Sequence, residues 1–229
     1  MSFHFEKGEI LLIDKPYGWT SFDVVNYIRV QLREKHALPK IKAGHAGTLD
    51  PLATGLLIVC TGKATKRIAE LQNSDKEYTG TFTLGATTPC DDMEKPVDTI
   101  FPYDHITEEM VRDTTQKFTG KIQQVPPVYS AIKISGKRAY KLARQSEEVK
   151  MMPREVEIKL FEITAVRLPE VDYRVICSKG TYIRSLARDF GVALNTGAYL
   201  SSLCRQRIGS YKLEDAVTPG VFSNIIGFL

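Results

Sequence analysis

The sequence predicts an α+β fold, a mixed and mostly antiparallel central sheet flanked by helices and loops. Three observations point there. Apolar and polar residues alternate at 77–84, 156–160 and 171–175, the period of half-exposed strands. Helical periodicity is confined to short stretches near 20–32, 62–71, 107–118 and 182–190. The two patterns mix without a regular βα repeat, which argues against a doubly wound parallel sheet.

The elements follow in order. Ile10 to Ile13 is a short apolar strand, ended by the turn signal Asp14-Lys15-Pro16-Tyr17-Gly18. Thr20 or Ser21 then caps a helix that places Val24, Ile28 and Leu32 on one face. Leu56 to Thr61 is an apolar run with the character of a buried strand, and Gly62-Lys63-Ala64-Thr65-Lys66-Arg67 opens a second helix through Leu71. Tyr78, Gly80, Phe82 and Leu84 alternate with polar neighbours, and Thr87 to Asp92 is a polar turn. An amphipathic helix runs from Thr107 to Phe118 and stops near Gly120. Val125-Pro126-Pro127 breaks the pattern, and Lys133 to Lys150 is dense in positive charge. Two alternating segments follow, and Gly180-Thr181 caps a helix from Tyr182 to Phe190, closed by Gly191.

With 229 residues, 43% of them hydrophobic and 25% charged, the chain has the composition of a globular protein with a real core. The net charge of +4 permits a polyanionic partner without requiring one. No apolar run approaches a membrane span, and the N-terminus lacks the pattern of a signal peptide. The four cysteines, Cys60, Cys90, Cys177 and Cys204, lie far apart with no metal-ligand spacing, and there are four histidines. A structural zinc site is not expected, and a reducing, cytoplasmic compartment fits. Walker, Rossmann and serine-elbow motifs are absent, so no cofactor is expected.

One loop concentrates the chemistry: Gly44-His45-Ala46-Gly47-Thr48-Leu49-Asp50-Pro51-Leu52-Ala53-Thr54-Gly55. A lone carboxylate, Asp50, sits among three glycines at the mouth of a core strand, with proline holding it towards extended geometry. Such a stretch is either a plain turn, with the aspartate bonding its own backbone, or a stiff mount for a catalytic acid. Lys133, Lys137, Arg138, Lys141 and Arg144, interleaved with Tyr129 and Tyr140, form either a solvated face or a surface for RNA phosphates and unpaired bases. Arg184 lies in the first turn of its helix beside an apolar face, where it could pair with a buried carboxylate. Arg205 and Arg207 share a face at period two, as phosphate contacts or as ordinary exposed charges.

Together these segments resemble the bacterial tRNA pseudouridine synthases that act on uridine 55 of the T-loop, the TruB family. The resemblance rests on Ile13-Asp14-Lys15-Pro16 with Thr20-Ser21, the Gly44–Gly55 loop, Gly62-Lys63-Ala64-Thr65-Lys66 and Lys76-Glu77-Tyr78. It continues through Pro126-Pro127-Val128-Tyr129-Ser130-Ala131-Ile132-Lys133, Gly180-Thr181-Tyr182-Ile183-Arg184-Ser185-Leu186 and Leu203-Cys204-Arg205. These stand in family order over roughly residues 10 to 210.

The resemblance implies a pseudouridine synthase fold and an isomerase that flips its uridine and rearranges the N-glycoside to a C-glycoside. Asp50 would be the catalytic aspartate, Tyr78 the tyrosine that stacks on the flipped base, and Arg184 the partner that keeps the aspartate charged and aimed. His45 would enter the space left by flipped nucleotides. Lys15 would shape the pocket floor, Leu203 an apolar wall, and Asp92 would orient Arg184, although the turn after Asp92 lacks the family's glycine. Lys63, Lys66, Lys133, Lys137, Arg138, Arg144 and Arg205 would contact RNA. The reaction needs no metal and no cofactor. A single catalytic domain over 1–229 is expected, with an RNA-clamping insertion at about 123–154 and no C-terminal PUA domain. The expected partner is the T-arm of tRNA, with no membrane and no obligatory protein partner, for a cytoplasmic monomer. Two other readings stand beside it: an RNA-binding module in which Asp50 is idle, and a relative guided to other targets by an RNA–protein particle.

Overall fold

The computed structural model describes residues 3–130, 133–134, 137–138 and 151–227, the two dipeptides by backbone alone. In chain order the elements are β1 (Ile10–Lys15), α1 (Ser21–His36), β2 (Ala43–His45), β3 (Thr54–Thr61), α2 (Ile68–Gln72), β4 (Lys76–Leu84), β5 (Ala86–Thr87), β6 (Thr99–Ile100), α3 (Glu108–Thr114) and β7 (Gly120–Gln124). There follow β8 (Lys133–Ile134), β9 (Lys137–Arg138), β10 (Arg154–Arg167), β11 (Glu170–Cys177), α4 (Ile183–Ala193), β12 (Ala198–Ile208), β13 (Tyr211–Lys212) and α5 (Pro219–Gly227). The chain divides into two compact units, Met1–Thr79 with Leu203–Leu229, and Gly80–Ser202. Both β4 and β12 run through the division. Among the described residues no helix is long and apolar enough to cross a membrane.

The first unit is organised around β3. Strand β1 pairs with it antiparallel, from Ile10 opposite Cys60 to Lys15 opposite Gly55. Strand β12 joins it in parallel through Cys204–Thr54 and Arg205–Gly55. Both faces of β3 are covered, which explains its unbroken apolar run. Leu57 and Val59 pack with Val24, Ile28 and Leu32 of α1 and with Phe222 and Ile226 of α5. Leu56, Ile58 and Cys60 pack with Ala46, Leu71 and Ile208. Thr20 begins α1 with a reciprocal capping box to Asp23, a device contributing about 1 kcal/mol. The helix expected from Gly62 to Leu71 is a 3₁₀ segment over Gly62–Arg67 followed by the short α2.

In the second unit the strand order runs β12, β4, β11, β10, β7. The β10–β11 and β7–β10 pairs are antiparallel. Aromatic rings fill its core: Phe82 stacks on Tyr173 at 4.1 Å between centroids, and Phe161 meets Phe190 at 5.3 Å. Gln124 pairs with Arg154 at the ends of β7 and β10, so the excursion inferred at 123–154 leaves and returns through one paired position. Within it, Lys133–Ile134 and Lys137–Arg138 form a two-strand antiparallel ladder. The helix expected over 107–118 is α3 with a 3₁₀ continuation from Thr115 to Phe118.

One expected cap is different. Thr181 does not cap α4; its hydroxyl donates to the Ser178 carbonyl at 3.0 Å. Tyr182 holds the N-cap position, and the fully buried Gln124 brackets it. The Gln124 amide accepts from the Tyr182 N–H at 2.8 Å and donates to the Tyr182 carbonyl at 3.0 Å. A long-range side chain has replaced the local cap.

Candidate active site

Asp50 is half-buried, on the turn between β2 and β3. The peptide before it is pinned by Ser21, at the first turn of α1. The Ser21 hydroxyl accepts from the Leu49 N–H at 2.8 Å and donates to the Leu49 carbonyl at 3.1 Å. The Asp50 carbonyl accepts from the Ala53 N–H at 3.1 Å, and the Pro51 carbonyl accepts from the Gly18 N–H at 2.9 Å. Gly47 and Gly55 take φ values of 105° and 98°, conformations that L side chains rarely adopt. At Gly55 a Cβ would also lie 2.5 Å from the Arg205 carbonyl oxygen.

Two buried cations lie beneath this loop. Lys15 is 0% exposed and donates to the carbonyls of Trp19 at 2.6 Å, Pro16 at 3.0 Å and Pro51 at 3.3 Å. Burial pushes its ammonium down to about 8, against the opposing pull of the Asp50 charge. Arg205, expected at an RNA-contacting surface, is 1% exposed. Its Nε donates to the Leu56 carbonyl at 2.8 Å, and its two terminal nitrogens to Thr48 at 3.4 Å and Gly47 at 3.1 Å. The expectation for Arg205 is therefore corrected: parallel pairing of β12 with β3 turns the side chain inward, under the Asp50 loop. Arg207 is likewise engaged, with Glu77 at 2.9 Å.

His45 ends β2, opposite Val59. Burial is the main influence that lowers its pKa, and the Arg205 charge adds to it, while the Gly47 backbone opposes. The imidazole is thus neutral near pH 7, a flat ring suited to stacking. Tyr78 is buried on β4, where Glu77 pairs with Arg207 and the Thr79 hydroxyl accepts from the Gln206 amide at 2.8 Å. Those flanking contacts fix its register. Leu203, on β12, is half-buried, and its carbonyl accepts from the Thr54 hydroxyl at 3.4 Å.

Arg184 and Asp92 come together in the second unit. Arg184 is 4% exposed in the first turn of α4. Its Nε lies 3.5 Å from Asp92 Oδ2, and its terminal nitrogens donate to the carbonyls of Cys90 at 3.2 Å and Tyr129 at 2.9 Å. Asp92 is itself buried and accepts from the Glu94 N–H at 2.9 Å. The pairing expected from sequence is present without a glycine after the acid, and the preceding Asp91 takes a positive φ of 62°. Next to it Arg188 pairs with Asp91 at 3.1 Å, although burial still pushes the Asp91 carboxyl up.

Lys63 and Lys66 are exposed, and with Lys40 and Lys42 they line a depression of about 310 Å³. The side chains of Lys133, Lys137, Arg138 and Arg144 lie outside the described residues. Sequence reasoning missed Ser21 and Gln124, and placed Arg205 wrongly. All three act across 28 to 158 residues of chain, so no local pattern announces them.

The family model for TruB family pseudouridylate synthase (N terminal domain) matches residues 35–183. The tRNA pseudouridine synthase B of Phocaeicola vulgatus is 55% identical over 219 residues, covering 96% of this chain and 93% of that protein. The Flavobacterium johnsoniae protein of the same name is 54% identical over 217 residues, covering 94% and 95%. Among solved structures, Cbf5 in the archaeal box H/ACA sRNP Nop10–Cbf5 complex is similar, with a TM-score of 0.71 and 28% identity over 98% of this chain. A Cbf5–Nop10–Gar1 complex gives 0.71 and 30% over 93%. The chain spans about half the length of those solved chains, 55% and 52%.

Proposed function

The chain belongs to the TruB family of pseudouridylate synthases, and from that premise we propose that it isomerises uridine 55 in the T-loop of tRNA to pseudouridine. The observation that carries this reading is identity of 54–55% over nearly the whole of two tRNA pseudouridine synthase B proteins. The proposed setting is the cytoplasm.

A uridine inside a folded T-loop must leave its stack before chemistry, at a cost of a few kcal/mol. The neutral His45 ring takes up stacking surface that the flipped nucleotides leave, and Tyr78 stacks on the extruded base. Leu203 supplies an apolar wall beside the uracil. Asp50 starts the breakage of the N1–C1′ bond. The freed uracil turns and rejoins the ribose through carbon 5. The carbon-5 hydrogen leaves as a proton and N1 gains one, so substrate and product are isomers. Arg184 is assigned the role of charged partner in the reaction, and Asp92 orients Arg184. The buried pairing of Arg184 with Asp92 supports that assignment. Lys63 and Lys66 meet backbone phosphates, joined by Lys133, Lys137, Arg138 and Arg144 of the insertion.

The test is tritium release from a T-arm RNA labelled at carbon 5 of its uridines. Wild type should release the label and Asp50→Asn should not, while still binding the RNA. A wild-type rate in Asp50→Asn would remove Asp50 from the chemistry. The likeness to Cbf5 chains favours one second reading, an enzyme guided by an RNA–protein particle. Release from the bare T-arm with no other component would exclude that reading.

A further inference from the structure

We infer that Arg205 is a positioning residue for this reaction, holding the backbone that leads into and out of Asp50 in the geometry that aims its carboxylate. The inference rests on the proposed role of Asp50. It starts from an account of carbonyls, since buried backbone acceptors need partners. Five successive ones, from Gly47 to Pro51, are all taken. Gly47 and Thr48 accept from Arg205, and Leu49 accepts from Ser21. Asp50 accepts from the Ala53 N–H, and Pro51 from both Lys15 and the Gly18 N–H. Three side chains from three separate elements thus replace the ladder partners that a strand would have had.

Arg205 is central to this cage. Strand register puts Lys15, Gly55 and Arg205 in one row, Lys15 opposite Gly55 on one side and Arg205 on the other. From that row the Arg205 fork reaches across the loop, with Nε on Leu56 after Asp50 and the terminal nitrogens on Gly47 and Thr48 before it. It ties the two ends of the Asp50 turn together. Burying a guanidinium is costly unless its donors are used, and in proteins generally well-packed apolar side chains often replace buried charges without loss of stability. A lysine would keep the charge but not the rigid fork that spans both ends.

Arg205→Lys is therefore the informative change, with Ser21→Ala as an independent probe of the same backbone. Misplacement of a catalytic group by about 1 Å costs on the order of 100-fold in rate. Single-turnover tritium release at saturating T-arm RNA should fall roughly 30- to 100-fold in Arg205→Lys and roughly 5- to 10-fold in Ser21→Ala, on that same scale. The dissociation constant for the RNA should stay within about 3-fold, because neither side chain reaches the surface. Assays run well below each variant's melting temperature. A wild-type rate in Arg205→Lys, or rate and affinity losses that both follow the folded fraction, would overturn the inference. No release by wild type would instead defeat the proposed function. An active wild type, a dead Asp50→Asn and a normal Arg205→Lys would defeat this inference alone.

Discussion

Replacing Lys15 by Met removes a cation that the fold has sealed from water. At pH 7 two effects oppose each other. The charged lysine makes three hydrogen bonds to carbonyls, and Met makes none. Yet burial penalises the ammonium: the fall from 10.5 to about 8 corresponds to about 3 kcal/mol against the charged form. The net loss at pH 7 should be modest, about 1–3 kcal/mol. The pH dependence is the sharper quantity. Between pH 8 and 10.5 the unfolded chain holds this proton and the folded chain does not, so wild-type stability rises with pH through that window. The contribution is complete above 10.5 and lost as pH falls through 8. Met has no proton to bind, so the advantage of wild type over Lys15→Met should widen by about 3 kcal/mol from pH 7 to pH 10.5. Every other titrating group is common to both proteins and cancels from the difference, so the gap isolates Lys15. Urea melts of both proteins at pH 7, 8.5 and 10 measure the gap. A gap that is constant, or that narrows with pH, would refute the view that burial dominates at Lys15.

Two shorter predictions follow. Gly55→Ala puts a Cβ 2.5 Å from the Arg205 carbonyl oxygen at a φ of 98°; positive-φ strain and overpacking together should cost roughly 2–6 kcal/mol, read by thermal or urea melts, and a loss under 1 kcal/mol would mean the β3–β12 contact gives way easily. Lys63→Gln and Lys66→Gln should weaken T-arm binding at low salt and each reduce the slope of log K against log salt by about 0.7–0.9; an unchanged slope would take both lysines out of the interface.

Much of this molecule can be read locally. The alternation in β4, β10 and β11 survives because one side chain in two faces a core, and Thr20 begins α1 because its cap is three residues from its partner. The prolines after Gln124 and before Arg154 stand where β7 and β10 stop pairing. The Asp50 loop by itself reads as either a plain turn or a mount for an acid, and what favours the second is the ordered set of matching segments along the chain. Arg205 could not be read in this way. Period two correctly makes it a strand residue, but which face of β12 is buried depends on its parallel contact with β3, and only two residue pairs define that contact. The cap on α4 failed likewise: Thr181 has the right chemistry in the right place, yet Gln124 bonds both polar groups of the Tyr182 backbone and leaves Thr181 to the Ser178 turn.

The same physics explains why the acid sits in a loop at all. A carboxylate on a strand would have its backbone held by neighbouring strands, and its direction would be fixed by the pleat. In the Asp50 loop the carbonyl partners come instead from β1, α1 and β12, so the aim of the acid can be set by side chains without disturbing the sheet. That freedom has a consequence for assembly. Lys15 and Ser21 precede Asp50 in the chain, but Arg205 lies near the other end, after the whole of the second unit. The cage closes when β12 pairs with β3. Until then Gly47 and Thr48 lack the Arg205 donor, and Gly55 has no opposing strand on that side. The acid is present early in the chain, and its geometry is completed by one of the last strands.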